Sequence, residues 1–366
     1  MLRIATIGTS MITSDFIEVV NADSRATFVG TLSRDAERGA AFTDERGGER
    51  TFGALEEICA ADDIDAVYIA SPNALHHDQA LACIHAKKHV LVEKPFCATE
   101  AEALEVFTAA QEAGVVALEA MRPLHDPALH AIEDALGELG RIRRASFRFG
   151  KYSSRYDEVL AGRHTNIFDC KMASGALMDI GIYTIEPMLE IFGAPHTLAC
   201  TGVLLDPATQ AVTNGAIDGA GTLLVGYGPI TVDLSYSKIT NDLMPSQIEG
   251  EHATLTVDKI STPQHARIDY RGTAVRSAAK AGYSAIETST RELELPACGN
   301  TMAYELADFI EAVEGASQVD DEVWEATAGR HELGHYRDIT LFALQVADAA
   351  RQKMGVVFPA DLKNEA

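Results

Sequence analysis

Two short segments carry residues whose chemistry is complementary. Glu93-Lys94-Pro95 follows an apolar run, and Asp179-Ile180-Gly181-Ile182-Tyr183 lies far downstream. A lysine ammonium close to a phenol stabilises the phenolate and lowers its pKa toward neutrality, so such a pair can exchange a proton with a substrate hydroxyl. If the second segment is helical, Asp179 and Tyr183 are four apart and share one face. Lys94, Asp179 and Tyr183 are therefore the candidate catalytic residues. Taken singly each has a plainer reading, the lysine as a surface charge at a strand end and the tyrosine as helix core.

A second chemistry is suggested near the start. Gly8-Thr9-Ser10-Met11-Ile12-Thr13 joins an apolar run to a helical pattern. A dinucleotide site needs a tight turn at this place so that helix N-terminal amides face a pyrophosphate, and Gly8 supplies one. Ser10 and Thr13 stand where G-x-G-x-x-G has its second and third glycines, so the match is partial, and an ordinary capped strand-to-helix turn is the competing reading. Further on, Thr31-Leu32-Ser33-Arg34 places a hydroxyl and a cation where a ribose diol would want a carboxylate. Ser33 and Arg34 suit a phosphate-bearing ribose, hence NADP, while Asp35 leaves room for NAD, and a solvated arginine at a helix start is the alternative.

These residues need elements to position them. Strand-like runs at Leu2–Ile7, Thr27–Leu32, Ala66–Ala70, His89–Val92 and Val115–Leu118 alternate with helical patterns at Met11–Val20, Asp35–Phe42, His76–Ala86 and Thr99–Ala113. That order implies a parallel, doubly wound sheet, in which Lys94 falls in the crevice at the carboxyl ends of the strands. After Met121-Arg122-Pro123 the rhythm changes. A helix at Pro127–Leu136 is followed by alternating segments at Arg141–Phe149, Thr197–Leu205, Ala220–Tyr227, Ile230–Ser237 and Ala253–Asp258, with helices at Gly175–Leu189, Met302–Val313 and His335–Lys353. The expected fold is α/β: an N-terminal Rossmann doubly wound parallel sheet over 1–120, plus a C-terminal α+β domain with a large, mostly antiparallel sheet over 121–366.

Composition narrows the function classes. The chain has 366 residues, 47% of them hydrophobic, enough for two buried cores. Its 54 acidic against 30 basic residues give a net charge of −24, which disfavours nucleic-acid and membrane-surface partners. The Arg-rich, Lys-poor basic set fits either a salty cytoplasm or a biased genome. The six cysteines are scattered without a C-x-x-C pair, the N-terminal apolar run is too short for a leader, and no stretch is long enough to span a membrane, so a cytoplasmic location is expected. His331-Glu332-Leu333-Gly334-His335 matches H-E-x-x-H, but Gly334 weakens the helix and no third ligand follows in the right register. His76-His77 diverge on a helix, so no metal is expected.

Gly8-Thr9-Ser10, Ser71-Pro72-Asn73 with His76, Glu93-Lys94-Pro95, the run Gly175-Ala176-Leu177-Met178-Asp179-Ile180-Gly181-Ile182-Tyr183 and the closing Gly355-Val356-Val357-Phe358-Pro359 together resemble the glucose-fructose oxidoreductase, inositol dehydrogenase and rhizopine catabolism (Gfo/Idh/MocA) family over essentially the whole chain. Tyr183 stands where its sugar and inositol dehydrogenases more often have histidine, which makes the dihydrodiol dehydrogenase and glucose-fructose oxidoreductase branch the better likeness. The resemblance implies an enzyme whose Gly8, Thr9, Ser10, Met11, Ile12, Ser33 and Arg34 bind the cofactor. Ser71, Pro72, Asn73 and His76 would line the nicotinamide ribose, Glu93 would help hold the cofactor, and Lys94 would touch both ribose and substrate. Arg122 would line the substrate pocket, Asp179 would orient the substrate and Tyr183 would exchange its proton. Ser10, Thr13 and Ser174 depart from the family's glycines. The expected function is hydride transfer between NADP and a hydroxyl carbon of a small polyol, sugar, cyclitol or diol, in a homodimer or homotetramer built on the open face of the second sheet. The alternative is a non-catalytic sensor of cofactor or sugar on the same fold.

Overall fold

The computed structural model describes residues 1–365 apart from 273, 276–284, 287–288 and 317–332. Its first part runs β1 (Leu2–Ile7), α1 (Met11–Ala22), β2 (Ala26–Leu32), α2 (Ala36–Glu45), β3 (Arg50–Phe52), α3 (Leu55–Cys59), β4 (Ala66–Ile69), α4 (His76–His85), β5 (His89–Glu93), α5 (Glu100–Ala113) and β6 (Ala117–Ala120). The six strands pair in parallel in the order β3-β2-β1-β4-β5-β6. This is the doubly wound order, with its switch point between β1 and β4. Helices cover the sheet, so β4 and β6 are buried along their whole length, and the one charged residue they hold is the buried Glu119 of β6.

The second part comprises α6 (Arg122–His125), α7 (Pro127–Ala135), β7 (Ile142–Gly150), α8 (Ser154–Leu160), α9 (Ile182–Phe192), β8 (Thr197–Leu204), α10 (Gln210–Thr213), β9 (Asp218–Gly226), β10 (Thr231–Ser237), β11 (Ser246–Gly250), β12 (Ala253–Val257), β13 (Ala266–Tyr270), β14 (Ala274–Val275), β15 (Ala285–Ile286), β16 (Ser289–Leu293), α11 (Met302–Ala316) and α12 (Leu333–Met354). Among the described residues an eight-stranded sheet has the order β16-β13-β12-β11-β7-β10-β9-β8. Its pairings are antiparallel except between β7 and β10, and β14 and β15 form a separate pair.

Several elements differ from the expectation. β3 and α3 are too short for periodicity to reveal. β6 begins later than Val115 because Gly114 leaves α5 in the left-handed region and Val115 still donates back to the Ala110 carbonyl. β11, β13 and β16 carry polar residues on their outward faces and read as loop in sequence. The helix expected from Gly175 opens instead with a π-helical turn over Leu177–Gly181, continued by α9. Asp179 and Tyr183 are therefore not related by regular α-helical spacing.

The closing helices join the two sheets. α12 packs on α5 and β6 as well as on α9 and β8, and α11 packs on α1 and α6. Arg351, wholly buried on α12, donates to Asp361 in the closing turn at 2.8 Å, pairs with Asp348 and lies 4.0 Å over the Phe358 ring. Asp348 in turn accepts the Glu100 amide at the start of α5. Removing the guanidinium strands two carboxylates in a low-dielectric setting, so Arg351→Ala is expected to lower unfolding stability by about 3–5 kcal/mol, measured as the shift in denaturant midpoint at unchanged m.

Candidate active site

Gly8 ends β1 with φ +112°, and a Cβ there would lie 2.7 Å from the Ala70 carbonyl oxygen, so the turn admits only glycine without moving β4. Ser10 caps α1, its hydroxyl accepting from the Thr13 amide at 3.4 Å, and Thr13 turns its own hydroxyl to Ser10 at 3.1 Å. The two residues that replace glycines thus bond to each other across the first helical turn. Met11 is exposed at the helix start and Ile12 is partly buried. A cavity of about 450 Å³ opens beside this turn, lined in part by Thr9, Ser10, Met11, Ser14, Arg38 and Arg46.

At the end of β2, Ser33 accepts from the Asp35 amide at 3.2 Å, and Arg34 is exposed. The cation that reaches the turn is a different one. Arg38, in the first turn of α2, donates to the Thr9 carbonyl at 2.8 Å. Asp35 fixes that turn by capping α2, accepting the Arg38 amide at 3.0 Å, so it is engaged in holding the helix. Sequence reasoning missed Arg38; its place in the first turn after a strand-end Ser-Arg was the available signal.

The loops after β4 and β5 complete this edge. Ser71 donates to Gln79 at 2.6 Å, and Asn73 donates to the Ala173 carbonyl of the second part at 2.8 Å. Pro72, extended at φ −60°, precedes a single 3₁₀ turn over Asn73–Leu75. His76 is fully buried, with Nε2 2.8 Å from the Ser71 carbonyl and Nδ1 3.0 Å from that of Pro95. Burial pushes its imidazole below the ordinary value despite those acceptors. The ring ties the two loops together below the crevice.

Lys94 is the meeting point of the two sheets. Its Nζ donates to the Asp179 carbonyl at 2.7 Å, lies 3.3 Å from Asp179 Oδ1 and stands 4.9 Å from the centre of the Tyr183 ring. Burial alone would discharge the ammonium, but Tyr183, Asp179 and Glu93 around it hold its pKa above the ordinary lysine value. Gly175 sets the geometry on the other side: at φ +118° it brings the chain so close to Asp218 that a Cβ would lie 2.4 Å from the carboxylate, which accepts the Leu177 amide at 2.7 Å.

Asp179 Oδ2 is held by a second ammonium, Lys238, at the end of β10, a residue no motif in the sequence marks. Burial opposes ionisation of Asp179, but Lys94 and Lys238 overcome it and take its pKa down to about 2. Glu93 accepts from the Tyr68 hydroxyl and from the Lys94 amide at 3.2 Å, and burial raises its pKa. Arg122 reaches the same region from the start of α6, with a buried Nε that has no hydrogen-bond partner among the described residues. Glu305 on α11 and Glu186 on α9 are fully buried, and burial holds both far above the usual carboxylate range.

Tyr183 corrects one expectation. Its ring stands edge-on to Phe149 at 5.6 Å, and its pKa is raised, because burial, with Glu93 and Asp179 adding to it, outweighs Lys94 and Arg122. The side chain is a neutral phenol at neutral pH rather than a phenolate. Of the H-E-x-x-H segment, His331 and Glu332 lie outside the described residues. His335 pairs with Glu190 on α9 at 2.7 Å, and His130 and Glu133 of α7 bring their ligand atoms within 4.8 Å of each other and of Glu190. No helix among the described residues is long and apolar enough to cross a membrane.

The family model described as an oxidoreductase family with an NAD-binding Rossmann fold, Gfo/Idh/MocA, matches residues 2–120. Over 362 residues the chain is 33% identical to the scyllo-inositol 2-dehydrogenase (NADP(+)) of Bacillus subtilis, covering 99% of both proteins. It is 27% identical to mouse trans-1,2-dihydrobenzene-1,2-diol dehydrogenase over 268 residues, 72% of this chain and 76% of that protein. A 3-ketoreductase from Actinomadura kijaniata, solved with NADP and TDP-benzene, superposes with a TM-score of 0.76 at 21% identity, covering 96% of this chain and 97% of that one. The parallel sheet with its switch-point crevice, facing a second large sheet, defines an oxidoreductase of Rossmann type. The chain belongs to the Gfo/Idh/MocA family.

The depressed Asp179 pKa has a signed consequence. Folded-state stabilisation by this carboxylate is complete above the unfolded value of about 4 and is lost as pH falls through it toward 2. Asp179→Asn is expected to melt below wild type at pH 6 and to approach it as pH drops to about 3, followed by scanning calorimetry across that range.

Proposed function

We propose that this chain is an NADP-dependent dehydrogenase or reductase that moves a hydride between the nicotinamide and a hydroxyl-bearing carbon of a small polyol, sugar or cyclitol. One observation carries the reading: Lys94 from the first part of the chain and Asp179 and Tyr183 from the second converge at the carboxyl end of β5. Residues 1–120 would carry the cofactor and 121–366 most of the substrate site.

The residues at the head of α1 fit a dinucleotide. Gly8 itself adds no side chain to the turn, the α1 N-terminus opens on the cavity, and Arg38 with Ser33 and Arg34 offers cation and hydroxyl for a ribose phosphate. The NADP-dependence of the Bacillus relative supports that choice over NAD. When bound, the nicotinamide supplies the hydride chemistry.

The protein's own part is charge and proton handling. Lys94, kept charged by its surroundings, stabilises negative charge developing on the substrate oxygen. Asp179 orients Lys94. Tyr183, protonated at neutral pH, gives its proton to a carbonyl oxygen in the reducing direction and takes one from a hydroxyl in the oxidising direction. A donor must be protonated and an acceptor ionised, so reduction is expected to fall and oxidation to rise as pH increases toward the raised Tyr183 pKa. Rate profiles in both directions check this.

A panel of polyols starting from scyllo-inositol, followed at the nicotinamide absorbance, tests the function. Turnover is expected with NADP+, Tyr183→Phe is expected to lower kcat by about 10²- to 10⁴-fold with NADP+ affinity kept, and tight cofactor binding without turnover of any substrate would favour the sensor instead. Arg38→Ala is expected to raise KM for NADP+ by about tenfold or more and to leave KM for NAD+ nearly unchanged, as loss of a charge-assisted contact to a phosphate would do.

A further inference from the structure

Lys238 is the first residue past β10, and its backbone is fixed on both sides. Its amide donates to the Gly219 carbonyl and its carbonyl accepts the Ser153 amide, each at 2.9 Å. The side chain is 9% exposed and ends on Asp179 Oδ2. Asp179 is therefore a bridge between two ammoniums: Oδ2 goes to Lys238 of the second sheet, while Oδ1 and the backbone carbonyl go to Lys94 of the first.

The charge count gives this bridge a purpose. The ionisable groups facing the cluster are Tyr68 on β4, Glu93 at the end of β5 and Lys94 after it, Arg122 on α6, Asp179 in the π-helical turn, Tyr183 and Glu186 on α9, Lys238 after β10 and Glu305 on α11. Burial raises the pKa of Glu93 and pushes that of Glu186 far above the usual carboxylate range. Asp179 is the carboxylate that bonds both lysines, and its pKa is lowered to about 2. If it had only Lys94 for a partner, the two charges would cancel, and both carboxylate oxygens would be free to close on the one ammonium. Lys238 occupies the outer oxygen, so Lys94 meets the carboxylate through Oδ1 alone and stays 4.9 Å from the Tyr183 ring.

We infer that Lys238 is a positioning residue for hydride-transfer chemistry: it anchors Asp179 from the second sheet so that Lys94 keeps its charge directed at Tyr183 and the substrate oxygen. This rests on the proposed roles of Lys94 and Tyr183. It makes the proton-transfer centre a group of four, in which Lys238 acts through Asp179.

The test compares Lys238→Gln, which is one atom shorter and uncharged, Lys238→Met, which has neither donor nor charge, and Lys238→Arg, which keeps both. With the polyol that the wild type oxidises best, Lys238→Gln and Lys238→Met are expected to lose about tenfold or more in kcat with KM within about threefold. The alkaline rise of the oxidation profile should move up by about one pH unit, and Lys238→Arg should restore most of both. Crystal structures of wild type and Lys238→Gln, which need no substrate, should show Asp179 closing on Lys94 and Nζ drawn away from the Tyr183 ring. An unmoved Asp179 in Lys238→Gln, or wild-type kcat and pH profile in that variant, overturns the inference. If the wild type oxidises no polyol while Asp179 still closes on Lys94 in Lys238→Gln, the positioning stands and the functional reading fails. Should Lys238→Met not fold, Lys238→Gln and Lys238→Arg decide the matter alone.

Discussion

A lysine ammonium at the carboxyl end of a buried strand has to find its counter-charge somewhere, and the ion pair it makes is not with the first sheet. Glu93 beside it accepts from Tyr68, and burial raises its pKa. Lys94 is satisfied instead by the carbonyl and carboxylate of Asp179, which belong to the second half of the chain. The crevice is consequently held together by the same charges to which the proposed chemistry is assigned. Asn73 bonded to the Ala173 carbonyl, and Thr340 of α12 bonded to Glu119 of β6, reinforce the same seam. Glu119 also accepts the Phe96 amide, so the backbone just past Lys94-Pro95 is tied to β6 and through it to the closing helix.

Burial and charge compete at every ionisable group here, and the winner differs from residue to residue. Asp179 has two ammoniums and stays ionised with a pKa of about 2. Tyr183 has one lysine at the edge of its reach and two acids nearby, and burial wins. The same low-dielectric surroundings in which Lys94 is held charged therefore keep the phenol protonated. Under the proposed function such a site separates the two tasks that a lysine and a tyrosine could share: one would supply constant positive charge, the other a proton.

What was legible in sequence followed from local constraint. Gly8 had to be glycine, because a Cβ there would collide with the Ala70 carbonyl, and Glu93-Lys94-Pro95 could be placed at a strand end because β5 reads as an unbroken apolar run. Tyr183 and Asp179 were found through their motif, although the π-helical turn between them was invisible to a periodicity argument. Arg38 and Lys238 were not found. Each is a lone cation whose importance arises from what the fold sets opposite it, the Thr9 carbonyl in one case and the Asp179 carboxylate in the other. Polar strands such as Ser246–Gly250 escaped for a related reason: their regularity lies in pairing with β7 and β12 rather than in their composition.

The net charge of −24 sharpens the question of how such a chain would hold a polyanionic cofactor. Long-range attraction is absent, so affinity has to come from groups close to the phosphates, inside the screening length that salt imposes. The structure concentrates them there. The α1 N-terminus, Arg38 and Arg46 border one cavity, and Arg46 is braced by stacking 3.8 Å over the Phe42 ring and by donating to Ser14 at 3.0 Å. Both arginines rise from α2 or its C-terminal end, whose N-terminus is fixed by the Asp35 cap. The acidic residue that might have argued for a bare ribose diol is thus spent on orienting the helix that carries the cations. Under the proposed NADP reading, selectivity for a phosphate at that position would follow from backbone geometry as much as from charge.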